Sequence, residues 1–349
     1  LQTGQYFYST CQTAGGLMRI NKNIKIFINY FLGPLLFIWL SWSIYQQIIH
    51  QPDLQTAWQG IKASFSSSLI WNLIITVLLM FVNWSVEAVK WRLSVKEVQE
   101  VSFQKAIMAV LSGVSFSVST PNRMGEYVGR VLYMNEGNRL RTISITIVTS
   151  ISQLIITLLM GCIGLFILRS TGSLQKLVSP LWADMIQYGV IAVLTFLTLF
   201  YFRLPWLVKW ADRLPVVKKF MYLVKALENF NATLLFKLLS LSLLRFIVFI
   251  VQYYLVFKLF NVEITTWQVF WTVSVAFLVM AVIPSITLIE LVQRGKVMAT
   301  IVGLYSANEL GMNLATAGIW FINLVLPALA GSLLILRMRK IMSMNNETT

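Results

Sequence analysis

Charge is scarce in this sequence, and negative charge is scarcer still. Only 12% of its 349 residues are Asp, Glu, Lys or Arg, and 13 of them are acidic. A soluble chain of this length needs far more polar surface to cover its core. Histidine occurs once, at His50, and cysteine twice, at Cys11 and Cys162. With so few, the sequence holds no His/Cys/carboxylate cluster at metal-ligand spacing, no Ser/His/Asp set and no disulfide framework. A Gly-rich loop ending in Lys, which would cradle nucleotide phosphates, is also missing. The expectation is a protein that is not an enzyme, takes no cofactor and does not run on ATP.

What the sequence has instead is apolar length. Hydrophobic residues make up 57% of it. They fall in continuous runs, each long enough to cross a hydrocarbon core of roughly 30 Å. Continuous rather than alternating runs predict helices and not barrel strands. Six runs read as full spans: Ile26–Tyr45, Leu69–Val89, Thr142–Leu168, Met185–Phe202, Leu238–Phe257 and Asn313–Leu336. Two others are shorter and each ends at a proline: Ala106–Thr120 before Pro121, and Trp267–Ile283 before Pro284. Short, Pro-ended elements of this kind fit re-entrant half-helices, which persist at membrane depth only when buried in protein or lining a cavity.

The formal charge of +15 would suggest nucleic acid on a soluble protein. Here no basic domain stands outside the apolar runs, so nucleic acid is excluded as a partner and anionic phospholipid headgroups take its place. With the N-terminus in the cytoplasm and both short elements re-entrant, 21 of the 28 Lys and Arg fall on the cytoplasmic side and 6 outside, with Arg245 in a span. That asymmetry is the positive-inside pattern. It predicts a multi-pass protein of the inner membrane with both termini cytoplasmic.

Residues 1–17 are polar and precede Met18, and they read as a disordered or spurious leader. Residues 18–340 read as one transmembrane domain, with repeat-like halves at about 69–168 and 238–336. The basic, Trp-bearing segment 203–237 joins the halves and reads as a cytoplasmic interfacial helix. Residues 341–349 form a polar tail.

The densest polar cluster within apolar sequence is Ser117–Arg130. Pro121 ends the preceding half-helix. Gly125 and Gly129 permit close backbone approach. Glu126 and Arg130 are four apart and can pair on one helix face. Arg123, beside Asn122, precedes that helix's first turn, where free N–H groups and the dipole favour an anion. The serines before it (Ser112, Ser115, Ser117 and Ser119) fit packing and backbone bonding better than ligation. Glu87, Lys90 and Arg92 read as side chains snorkelling at the end of a span. Arg245 has two open readings: snorkelling, or acting as countercharge to Glu126 or Glu290.

The second half repeats the pattern. Pro284 follows an aromatic start at Trp267, Glu290 follows the proline, and Arg294 comes four residues after that. Two such motifs, one at each short element, predict inverted repeats whose broken helices meet near the midplane.

Ser-Thr-Pro-Asn-Arg-Met-Gly-Glu-Tyr-Val-Gly-Arg at 119–130, with Glu87-Ala-Val-Lys-Trp-Arg-Leu before it and Pro284-Ser…Glu290 after it, resembles the flippase-like transmembrane region of lysylphosphatidylglycerol synthases. Stand-alone relatives are the YbhN-type and archaeal AglD-type proteins. The resemblance runs over about residues 20–340 and is sharpest at Pro121–Glu126. The second motif departs from it, with Ser285-Ile-Thr-Leu-Ile where family members tend to be Gly-rich. The synthases also carry a soluble aminoacyl-transfer domain, which has no counterpart here. The resemblance thus implies translocation of a phospholipid or polyprenyl-phosphate-linked lipid, not aminoacyl transfer.

The expected fold is an all-α integral membrane bundle of about six spans plus two re-entrant hairpins in inverted repeats. The expected substrate-binding residues are Asn122, Arg123, Glu126, Arg130, Glu290 and Arg294. The partner is a membrane lipid or lipid-linked substrate. A second reading keeps the lipid binding but makes the protein a non-transporting scaffold for a cell-envelope glycosyltransferase.

Overall fold

The structure is a computed structural model that describes residue 42 and residues 54–118, 120, 124–211, 225–283 and 287–335. The expected leader, the first span Ile26–Tyr45 apart from Trp42, Asn122, Arg123, both motif prolines and the polar tail lie outside the described residues.

Among the described residues every regular element is helical. In chain order they are α1 (Leu54–Phe65), α2 (Ile70–Val95), α3 (Phe103–Val118), α4 (Gly125–Val131), α5 (Arg139–Ser170), α6 (Pro180–Phe202), α7 (Leu204–Ala211), α8 (Ala232–Leu259), α9 (Thr266–Val282), α10 (Thr287–Val302) and α11 (Glu309–Trp320). The last continues through a π-helical turn, Phe321–Val325, to Ile335. Five helices are long and apolar enough to cross a membrane: α2, α5, α6, α8 and the helix Glu309–Ile335. They match the five expected spans that fall within the described residues. The two short apolar helices are α3 and α9. Each packs against the helix that follows it, α3 on α4 and α9 on α10.

Local chemistry sets several of the ends. Thr265 and Gln268 form a reciprocal capping box at the start of α9, which satisfies donors that the first turn leaves open. Asn231 caps α8 by accepting from the Leu234 amide at 2.8 Å. Pro180 opens α6, where a missing N–H is harmless.

The bundle holds two apolar clusters. One joins α2, α3 and the first halves of α5 and α8. The other joins the second halves of α5 and α8 with α9, α10 and α11. At the seam between α5 and α9, a Cβ on Gly161 would meet the Leu278 side chain at 2.5 Å. Small residues at such crossings let membrane helices approach closely without a hydrophobic drive. α6 sits at the edge and buries little, exposing Tyr188, Phe196 and Leu199. On α7, Leu204 and Val208 turn inward while Trp206 and Trp210 are exposed. That is the amphipathic split expected of an interfacial helix. Residues 212–224 of that basic segment lie outside the described residues.

Candidate functional site

α2 brings the first surprise. The helix continues past Val89 to Val95, so Glu87 and Lys90 are held inside the bundle. Glu87 is 4% exposed and Lys90 1%. The expectation that they snorkel is therefore corrected: the helix carries them into protein, where each has partners. Arg92 is exposed, and its Nε donates to the Val101 carbonyl at 2.9 Å.

Glu87 is the hub of the charges. Lys90 Nζ lies 3.0 Å from its carboxylate. Arg130, from α4, donates to it at 2.7 Å. Arg245, from α8, donates to its other oxygen. One carboxylate thus joins α2, α4 and α8. Arg245 also donates to Asn83 at 2.8 Å and sits over the Trp84 ring. Its partners are therefore Glu87 and Asn83, not the Glu126 or Glu290 that the sequence suggested. A buried charge without such partners costs several kcal/mol, and every charge of the cluster has an opposite charge in contact, although Arg130 makes both of its pairs through Nη2 and leaves Nε and Nη1 without a hydrogen-bond partner.

The first motif supplies Glu126 and Arg130, which pair across one helical turn as their spacing predicts. Arg130 is 1% exposed and lies behind the cavity wall, between Glu126 and Glu87. Two glycines make that placement feasible. A Cβ on Gly129 would meet the Gly113 backbone at 2.5 Å, and one on Gly113 would meet the Glu126 carbonyl at 2.8 Å. α4 can therefore lie directly on α3. The α3 serines behave as packing residues: Ser112 shares a hydrogen bond with the Tyr133 hydroxyl at 2.9 Å, and Ser117 donates to the Val114 carbonyl.

The second motif supplies Glu290 and Arg294. Arg294 donates to Glu290 through Nε at 2.9 Å and through Nη2 at 2.6 Å. The pair reproduces the i,i+4 spacing of the first motif on a different helix.

The two motifs open onto one cavity of about 360 Å³. Its lining includes the charged side chains Glu87 and Lys90, Glu126, Arg245, and Glu290 with Arg294. The same lining includes the apolar Leu154, Phe246, Phe249, Phe277 and Met280. Gln153, Thr157 and Asn323 add neutral polar groups. The Trp84 and Trp320 indole N–H groups and the Gln153 carbonyl oxygen lack hydrogen-bond partners. The same condition holds for groups off the cavity, among them the Trp271 indole and the Gln187 side-chain oxygen. Among the described residues no group of His, Cys and carboxylates could hold a metal.

Of the expected substrate-binding residues within the described part, Glu126, Glu290 and Arg294 line the cavity, whereas Arg130, expected to meet the substrate, is buried off its lining. The sequence reading missed Glu87, Lys90 and Asn323 as lining residues. The missed signal was periodic. Asn83, Glu87 and Lys90 are spaced four and three apart, one helix face within an otherwise apolar run.

The family model described as the lysylphosphatidylglycerol synthase TM region matches residues 30–331. A comparison with curated proteins finds no match.

Proposed function

The chain belongs to the lysylphosphatidylglycerol synthase TM region family, a membrane-region family and not a catalytic domain, and on that premise we propose that it moves a phospholipid or polyprenyl-phosphate-linked lipid between membrane leaflets. The observation that carries this reading is the single cavity that both motifs line, whose lining combines charged and apolar side chains. Its volume falls within the range of small-ligand sites, roughly 300–1,000 Å³. It suits a headgroup whose acyl chains stay in the bilayer.

Lys90, Arg245 and Arg294 take the headgroup phosphate, and Glu126 and Glu290 balance that charge or meet a cationic headgroup atom. Arg130 holds Glu126 in place from behind. Arg123 and Asn122, beyond the described residues, fit a first contact at the mouth. Phosphate–arginine contacts are charge-assisted and geometrically specific. α3 and α9 act as re-entrant elements from opposite faces of the inner membrane, both termini being cytoplasmic.

The test is leaflet exchange. Purified protein is reconstituted into vesicles of phosphatidylethanolamine and phosphatidylglycerol that contain a fluorescent phosphatidylglycerol, and an impermeant quencher follows exchange. Exchange above that of protein-free vesicles supports the reading. Exchange at the protein-free rate, with a glycosyltransferase co-purifying from native membranes, favours the scaffold instead.

A further inference from the structure

The polar side chains of α2 do not stop at the cavity. Thr76, Asn83, Glu87, Lys90 and Ser94 are all buried and fall near one face of the helix. At 1.5 Å per residue the stripe covers about 27 Å, close to the full thickness of a hydrocarbon core. The cavity occupies only part of it: Glu87 and Lys90 line the wall, whereas Thr76 and Asn83 do not.

Beyond the cavity the stripe continues as a chain of neutral groups. Asn83 accepts from Arg245 and donates to Asn323 at 3.5 Å. Asn323 donates to the Gln252 side chain at 3.1 Å. Gln252 donates to the Thr76 carbonyl at 2.9 Å. Asn83, Gln252 and Thr76 are 0% exposed, and Asn323 also lines the cavity. The seam between α2 and α8 is therefore polar along its length but closed on this side.

We infer that Asn83, Asn323 and Gln252 are the closed second half of the headgroup's route, a seam that parts to pass the headgroup from the cavity to the far face of the membrane. The inference rests on the translocation reading above. Three features carry it. First, the chemistry changes along the stripe, from fixed charges to amides that offer both donors and acceptors. A permeating group must bind well enough to enter and weakly enough to leave, and neutral amides beyond a charged cavity meet that need. Second, Asn323 lies in the π-helical turn Phe321–Val325. Such turns interrupt the regular ladder, give a helix a place to bend and recur at functional sites. Third, hydrogen bonds between membrane helices add little stability on average, so gluing helices together is a thin account of three linked, buried amides.

The test uses the vesicle assay with Gln252→Met and Asn323→Leu, which keep bulk and remove the amide. Each is expected to slow exchange about tenfold, the effect of one hydrogen bond lost at the barrier. For Gln252→Met, whose side chain is off the cavity lining, binding of the fluorescent lipid to detergent-solubilised protein and the melting temperature should stay as in the unsubstituted protein. Asn323→Leu, whose side chain lines the cavity, is read on exchange and melting alone. Unslowed exchange in both variants overturns the inference. Should either variant melt early, Gln252→Cys in a background lacking Cys11 and Cys162 decides it. A seam that parts exposes the thiol at position 252 to a small thiol reagent while lipid is being exchanged, and a static seam leaves it unreactive. Absent exchange in the unsubstituted protein tells against translocation itself, whereas exchange that the substitutions leave untouched tells against the seam alone.

Discussion

Arg245 donates to the carboxylate of Glu87 across 158 positions of sequence. The contact ties α8 to α2 inside the bundle, and Glu87 holds Lys90 and Arg130 at the same time. Removing one end of the contact is not equivalent to removing the other. Glu87→Ala leaves three cations facing one another, and a loss of roughly 3–5 kcal/mol is expected for a buried charge group left without its partner. Arg245→Ala leaves Glu87 with two cations and should cost clearly less. Thermal melting of both variants in detergent checks the order. Equal losses would mean that Glu87 is not the hub.

Glu126 and Glu290 face the same cavity, so neutralising either one should impair lipid exchange. Glu126→Gln and Glu290→Gln keep side-chain shape and leave helix packing alone. A charge-assisted bond contributes about 1.5–3 kcal/mol, which corresponds to a rate loss of roughly 10- to 150-fold. The vesicle assay reads this directly, with membrane insertion compared by protein yield in the membrane fraction. Exchange at the unsubstituted rate in both variants would confine the two motifs to a structural role.

The contact of α4 on α3 depends on Gly129. An added methyl at this position would meet the Gly113 backbone at 2.5 Å, and backbone cannot swing aside as a flexible side chain can. Gly129→Ala should destabilise by about 1–3 kcal/mol, the usual range for overpacking. It should also displace Arg130 and Glu126 and so lower exchange. Gly137, whose Cβ would meet nothing within 4 Å, is the control: Gly137→Ala should melt and exchange like the unsubstituted chain.

Much of this architecture is legible in the amino-acid sequence, because spans report themselves through apolar length and the motifs through proline and paired charge. Glu126–Arg130 and Glu290–Arg294 are contacts within one helical turn, and i,i+4 spacing is enough to forecast them. Glu87, Arg245, Asn83, Gln252 and Asn323 meet only through packing between helices, which no local pattern encodes. Glu87 and Lys90 were obscured for a second reason. They sit near the end of a hydrophobic run, where a charge ordinarily reaches for the interface, and only the continuation of α2 to Val95 keeps them inside. For Arg245 the sequence leaves snorkelling and countercharge to Glu126 or Glu290 both open, because its acid, Glu87, lies in the other half of the chain and reaches it only through packing.

The relation between the two motifs gives the sharpest test of how the cavity works. If the halves are inverted repeats, the elements before Pro121 and Pro284 enter from opposite faces, and the ends that approach the cavity differ in the side from which water reaches them. Broken helix ends at membrane depth need hydrogen-bond partners, so water should reach both. Cysteines placed singly at Ser119, Asn122, Ser285 and Thr287, in a background lacking Cys11 and Cys162, report that access through a small impermeant thiol reagent. The first pair should label from the cytoplasmic side and the second from outside. A saturating phospholipid that enters the cavity should protect both pairs, because Glu126 and Glu290, which follow them in sequence, line the same space. Labelling of all four from one side would mean that both motifs enter from the same face. The cavity would then serve a single leaflet, and lipid binding without translocation, as in a scaffold, would account for its charged lining better than passage between leaflets.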